Sequence, residues 1–462
     1  MVFSSLIFIC VFLPAVLLLY NLSRNMTYKN IVLVIFSVIF YAWGEPVWVL
    51  ALIFSALVDY CNGLAIGRFP KYKKVFLLCS LIVNLGLLAT FKYSGFIVGN
   101  INALLGTSIP FHGFSLPLGI SFYTFQTMSY TIDVYRGEVK VQKSFIKFMA
   151  YVSMFPQLVA GPIVRYIDIE GQIDDRHVAK EDFEAGIFRF VTGLFKKVVL
   201  ANSAGKLVNL LLGSSFSHTS AAAAWLGIVM YTFQIYFDFS GYSDMAIGMG
   251  RFFGFKFLEN FNYPYISRNA TEFWRRWHIS LGTFFRDYVY IPLGGNRRHH
   301  IRNILVVWFL TGLWHGASWN FILWGVYYGI LLIVEKKLFH GVLLRLPKAL
   351  GIIYSMIVVV FGWSLFYFTD LSQLGEFWKC AFGGSGVWVD YLAISTFLSN
   401  VWLIVALIIA STPLAMGLAQ RVMEKAPAVA AVVSPVMIAG VIFLCFTLLV
   451  GETYNPFLYF RF

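Results

Sequence analysis

The sequence predicts an all-α protein that crosses a membrane many times. Three observations carry this reading. Of 462 residues, 59% are apolar and only 12% charged, where about a quarter of an ordinary soluble chain is charged. Apolar runs of about 20 residues, long enough for ~30 Å of hydrocarbon, recur along the whole chain. The polar joints between them are short; the longest, near 166–182, is far below the ~50 residues of a small domain. A soluble enzyme is excluded. One membrane-embedded domain over 1–462 is expected, with a core at about 114–335 and a tail at 451–462.

The first run, 2–20, has no Lys or Arg ahead of it and reads as a span that stays in place, not a cleaved signal. Runs near 30–43, 46–66, 75–91, 114–132, 148–164, 185–212, 221–240, 301–317, 318–334, 350–368, 397–418 and 431–450 follow, giving about 11–13 helices. Segments 95–105, 117–124 and 272–293 mix aromatics with Gly, Pro and charge and are expected to be re-entrant or interfacial. The sequence contains neither an internal repeat nor a low-complexity run.

Lys and Arg number 35 against 22 Asp and Glu, a formal charge of +13. The bases cluster in short joints such as Arg68 to Lys74, so they report topology and not nucleic-acid binding. Arg24 and Lys29 follow the first span, only Glu45 lies between the second and third, and Arg68, Lys71, Lys73 and Lys74 follow the third. The positive-inside rule then puts the N-terminus outside and Arg275, Arg276, Arg286, Arg297, Arg298 and Arg302 towards the cytoplasm. Cys10, Cys61, Cys79, Cys380 and Cys445 are odd in number and have no C-x-x-C spacing. Neither a disulfide framework nor a metal site is expected.

The chemistry concentrates in Asn269 to Asn320. Two histidines sit in matching settings, Trp277-His278 and Trp314-His315. If a span starts at Arg302, thirteen residues at ~1.5 Å each put His315 about 20 Å into the membrane. An ionisable group at that depth is a functional candidate, although a buried histidine also serves as an interhelical hydrogen bonder. Apolar surroundings keep an imidazole neutral and able to act as general base towards a hydroxyl. Gly312 and Gly316 flank His315 and leave room for substrate or a close helix. On one helix, Trp274, Arg275, His278 and Gly282 share a face. Arg275 or Arg276 then suits phosphate, and His278 suits a carbonyl or the orientation of a donor; an interfacial amphipathic helix explains the same spacing. Leu293-Gly294-Gly295-Asn296-Arg297-Arg298 is a basic turn whose backbone N–H groups could meet phosphate. Asp238 and Asp244, six apart on a helix, point to different faces and are expected to pair with buried Arg or cap a helix. His299 and His300 lie in a basic loop and read as solvated.

At these residues the chain resembles the membrane-bound O-acyltransferase family, in its bacterial alginate and peptidoglycan O-acetylation branch. The matching elements include Leu118 to Tyr123, Ile132 to Gly137, Tyr236 to Ala246, Glu272 to Leu281 and Gly312 to Gly316. The resemblance implies a ring of tilted helices around a central tunnel, with His315 as catalytic histidine and His278 as its companion. Trp274, Arg275, Arg276, Trp277, Trp314 and Asn296 are its candidate substrate-binding residues. It implies an inner-membrane enzyme that holds no cofactor and moves acetyl from cytoplasmic acetyl-CoA to an acceptor outside. A separate extracytoplasmic esterase-like or acetyltransferase partner is expected, since this chain has no outside loop large enough for a saccharide groove. The glycan stays open among alginate, peptidoglycan, acetylated cellulose and other envelope polymers.

Two other readings compete. A transporter or flippase would use the histidines as proton relays, but related halves are absent from the sequence. A D-alanyl transferase to teichoic acid would draw on a carrier-protein thioester.

The tail Glu452 to Phe462 ends in Phe-Leu-Tyr-Phe-Arg-Phe. Aromatics beside Arg suit an interfacial anchor. A tethered hydroxyl that is acylated and then passes the group on would instead split one transfer into two. Tyr459 is that candidate, because the ending resembles the aromatic tail of the small partner in the D-alanine system.

Overall fold

The computed structural model describes residues 1–213, Phe216, 219–451 and Leu458, and every regular element among them is helical. The chain forms two compact units, Met1–Phe190 with Tyr242–Glu259, and Val191–Gly241 with Asn260–Phe462.

Among the described residues, four helices are individually long and apolar enough to cross a membrane: Val49–Arg68, Pro70–Leu105, Lys348–Tyr367 and Pro427–Gly451. The pair Tyr391–Ser399 and Val401–Ala410, bent by 62°, is a fifth if it is one span. The run expected at 221–240 lies in one 32-residue helix, Ala221–Phe252, and others are shorter or broken. His300–His315 and Trp319–Val334 have 16 residues each, about 24 Å at 1.5 Å per residue. The 185–212 run divides into Lys180–Phe195, a π turn at Lys196–Ala201, and Asn202–Leu212. Segment 95–105 is not re-entrant. A π turn at Ala89–Tyr93 carries helix Lys73–Leu88 on into Ser94–Leu105, and the turn's Lys92 donates to Ser121 Oγ at 3.2 Å. At 117–124, Gly119 takes a left-handed φ of 74° and starts the helix Ile120–Arg136.

In the first unit a buried carboxylate ties three helices together. Asp59, on Val49–Arg68, accepts hydrogen bonds from Ser80 Oγ, from Asn84 Nδ2 at 2.6 Å and from Thr131 Oγ1 at 2.9 Å. Asn84 Oδ1 in turn accepts from Ser55 at 2.7 Å and Thr127 at 3.3 Å. Arg176 is buried over the Phe255 ring at 4.5 Å and donates through Nε to Tyr20 Oη at 2.8 Å and the Phe253 carbonyl at 3.1 Å. Asp244 pairs with Arg189 at 2.7 Å, the partner type expected from the sequence.

The second unit has an aromatic core, with Trp324, Trp363, Tyr328, Tyr231 and Tyr236 fully buried. Asp238 pairs here with a lysine: Lys197 Nζ lies 2.5 Å from Oδ1, with both side chains buried. The Leu458 backbone N–H donates to Asp238 Oδ2 at 2.8 Å. Two opposite charges in contact spare each other the cost of isolation in an apolar interior.

Replacing Asp59 tests the first core. Asp59→Ala leaves three buried donors without their acceptor, at about 1–3 kcal/mol for each unsatisfied group. Thermal unfolding of purified protein in detergent should show a clear fall in midpoint, and Asp59→Asn, which keeps one acceptor oxygen, a smaller one.

Candidate active site

The segment that carries His278 is built from two short helices. Asn269 caps the first, its Oδ1 accepting the Glu272 N–H at 2.8 Å, and Ala270–Arg276 runs for seven residues. Trp277 is then extended, and His278 adopts a left-handed φ of 45° and ψ of 53° before Ile279–Phe285 begins. The expectation of one continuous helical face through Trp274, Arg275, His278 and Gly282 is therefore corrected. The break lies at His278, where an L residue in the left-handed region costs about 1–3 kcal/mol and persists only if its surroundings impose it.

Asn260 imposes it. Its Oδ1 accepts from Ser280 Oγ at 2.8 Å and from the Ser280 N–H at 3.3 Å, and its backbone carbonyl accepts the Ile279 N–H at 3.0 Å. His278 Nδ1 lies 3.1 Å from the same Oδ1. The Ser280 N–H can only donate, so the amide oxygen, not its nitrogen, faces His278. Nδ1 therefore carries the proton and Nε2 is the accepting nitrogen. In this tautomer the Nδ1 proton is given to Asn260. Burial lowers the His278 pKa to about 3, because an imidazolium is penalised without water. Phe239 stacks edge-on against the ring at 4.7 Å. Sequence reasoning missed Asn260, eighteen residues upstream in a loop without a motif.

His315 is the last residue of its helix, since Gly316 is extended. Its ring is enclosed edge-on by Trp314 at 5.0 Å, Trp324 at 5.1 Å and Phe366 at 5.2 Å. Trp314 is shared, its ring also lying 6.0 Å from that of His278. The two histidines named from sequence thus meet one indole. Of the two uses open to the glycines, the structure takes the close helix. A Cβ on Gly312 would collide with the Phe321 carbonyl, one on Gly325 with the Trp308 carbonyl, and one on Gly316 with the Phe321 ring.

A cavity of about 220 Å³ lies beside His278, lined also by Trp274, Trp277, Trp308 and Thr311, with Arg286 and Tyr290. His315 is not among its lining residues; Thr311, one helical turn before it, is. Arg276 is committed to Glu272 at 2.9 Å, whereas Arg275 is exposed. In the basic turn, the N–H groups of Gly294, Gly295, Arg297 and Arg298 all bond carbonyls nearby in the chain, so they form no phosphate cradle. Asn296 accepts from Tyr290 Oη at 2.8 Å. His299 is exposed, but His300 is not simply solvated. Its Nδ1 meets Tyr290 Oη at 2.7 Å and its Nε2 accepts from Lys336 Nζ at 3.0 Å. Tyr459 lies outside the described residues.

Residues 115–375 match the model of the membrane-bound O-acyltransferase family. The chain belongs to this family. It is 41% identical over 399 residues, 84% of this chain and 76% of the relative, to the probable alginate O-acetylase AlgI of Pseudomonas aeruginosa. It is 34% identical over 442 residues, 87% of this chain and 84% of the relative, to the peptidoglycan O-acetyltransferase of Helicobacter pylori. Identity to the teichoic acid D-alanyltransferase of Bacillus subtilis is 27% over 347 residues, 69% of this chain and 83% of the relative. The protein is a multi-pass membrane O-acetyltransferase.

Asn260 gives the site its first test. Asn260→Ala removes the acceptor that fixes the His278 tautomer and should lower kcat about tenfold or more, short of the ~10²–10⁴-fold that losing a positioned acid–base group outright costs. KM for the acyl donor should change little. Steady-state kinetics on folded, monodisperse protein would check this.

Proposed function

We propose that this acyltransferase takes acetyl from cytoplasmic acetyl-CoA and moves it across the bacterial inner membrane for O-acetylation of an extracytoplasmic polysaccharide, alginate or peptidoglycan or a similar polymer. The observation that carries the reading is the pair of buried histidines that both meet the Trp314 ring, at 5.0 Å and 6.0 Å. An acyl transfer needs a base near the acceptor hydroxyl and an environment that keeps water from the thioester. His315 acts as the base. The hydroxyl oxygen bonds to the acetyl carbon as the C–S bond breaks, His315 takes the hydroxyl proton, and the departing thiolate recovers it as a thiol. His278, with Nε2 unprotonated, accepts a hydrogen bond from a donor N–H or O–H and orients the substrate. The cavity beside it, lined by Trp274, Trp277 and Trp308, receives the thioester end of the donor.

The first acceptor is the Tyr459 hydroxyl, entering from outside and returning as the acetyl ester, which a glycan hydroxyl then attacks. This requires an extracytoplasmic C-terminus. An extracytoplasmic esterase-like partner selects the glycan. D-alanyl transfer is the second reading; the higher identities to proteins named for O-acetylation favour acetyl.

Reconstitution with labelled acetyl-CoA tests the scheme. Wild-type protein should place acetyl on Tyr459, found by mass spectrometry, and should acetylate glycan efficiently only with its partner. His315→Ala should lose about 10²–10⁴-fold in transfer while remaining folded; near-normal transfer would refute its role as base. Tyr459→Phe should stop glycan acetylation without disturbing assembly, and full activity in that variant would leave the tail as an interfacial anchor.

A further inference from the structure

Glu335 is a buried carboxylate that the scheme above does not use. It lies just past the end of Trp319–Val334, the helix that follows His315, and is 3% exposed. Among the described residues no Lys or Arg pairs with it. Four donors converge on it instead. The backbone N–H of Ala270 reaches Oε1 at 2.8 Å, and that of Thr271 reaches Oε2 at 3.2 Å. The Thr271 hydroxyl lies 3.3 Å from Oε2, and Tyr354 Oη donates to Oε1 at 3.1 Å.

These bonds complete the start of the helix that leads to His278. The first four N–H groups of a helix have no partner further back in the helix. Here Ala270 and Thr271 donate to Glu335, Glu272 donates to the Asn269 side chain, and Phe273 donates to the Asn269 carbonyl at 3.0 Å. The Asn269 side chain serves only the Glu272 N–H. The carboxylate instead comes from 65 residues downstream, on a helix whose Trp324 touches His315 at 5.1 Å. Negative charge at a helix N-terminus is also favoured by the helix dipole. Glu335 thus joins the segment bearing Trp274 and His278 to the helix that walls His315, and Tyr354 ties in Lys348–Tyr367 as a third element. Trp274 packs on the same walling helix, 5.4 Å from Trp324 and 4.8 Å from Tyr328.

We infer that Glu335 is a positioning residue for acyl transfer, holding the His278 segment in register with the helix that flanks His315. The inference rests on the assignment of both histidines to the reaction. A misplacement of about 1 Å in a reacting geometry can cost about 10²-fold, so loss of the clamp is read in kcat more than in KM.

The test combines hydrogen exchange with kinetics on purified full-length protein. In Glu335→Ala the amides of Ala270 and Thr271 should exchange faster. Turnover of acetyl-CoA per folded molecule should fall about tenfold or more, with KM within about threefold. Glu335→Gln, which keeps the side-chain volume and one acceptor oxygen, should fall between wild type and Glu335→Ala. Unchanged exchange would overturn the clamp; faster exchange with wild-type kcat would overturn its role in transfer. If Glu335→Ala does not accumulate, Glu335→Gln and Tyr354→Phe carry the same test, and wild-type turnover in both overturns the inference. The exchange measurement is independent of the histidines, so an active His315→Ala protein would refute the catalytic assignment and leave the clamp to be judged separately.

Discussion

A polar atom in hydrocarbon has no water to fall back on, and each one must find its partner within the protein. Much of this molecule follows from that constraint. Asp59 collects hydroxyls and an amide from neighbouring helices. Burial imposes the same on Arg176 in the polar joint at 166–182, which is spread over a phenol, carbonyls and an aromatic ring. Lys197 and Asp238 satisfy each other, and Glu335 accepts four bonds. Each of these groups sits where elements distant in sequence meet, so satisfying one polar side chain also fixes the relation between helices. The apolar surface, by contrast, specifies little. Lipid is as apolar as a leucine, and exposed side chains such as Leu50 and Ile82 gain nothing by choosing one helix over another.

The same constraint separates what was legible in the sequence from what was not. Helical class and membrane character follow from composition and run length. The histidines were legible because each directly follows a tryptophan, and His315 does so in an apolar run, where an ionisable residue is rare. Their tautomer and backbone were not. Nothing in Trp277-His278-Ile279 announces a left-handed φ, which is imposed by Asn260 through space. The count of spans suffered for a related reason. The runs at 301–317 and 318–334 read as two spans, but the helix ends at His315 and the next starts at Trp319, leaving 16 residues each, whereas the run at 185–212 continues helically through a π turn. Hydropathy registers which residues tolerate lipid and is blind to where the helix stops. The basic turn at 293–298 misled in the opposite sense: its composition suits phosphate, but its amides are used in closing the turn.

Close backbone approach does for the His315 helix what polar bonds do elsewhere. Gly312 and Gly325 admit no side chain, so the helices before and after the histidine touch along their backbones, the arrangement small residues favour in membranes. The loop between them has little freedom, and the aromatic walls of His315 come from the same packed pair and from Phe366. Rigidity here belongs to the backbone, which leaves the His315 side chain few orientations.

The bond from Leu458 to Asp238 spans 220 residues of chain. At about 5–20 residues per second of synthesis, Asp238 waits roughly 10–45 s in the growing protein before its final donor exists. Through that interval Lys197 is already made and available to neutralise it, whereas the Leu458 N–H that its second oxygen accepts is not. The core of the second unit, in which Leu458 is buried, is therefore completed late. Biogenesis of this enzyme has a late step, and a chain stalled or clipped short of residue 458 would lack the backbone N–H that Asp238 Oδ2 accepts.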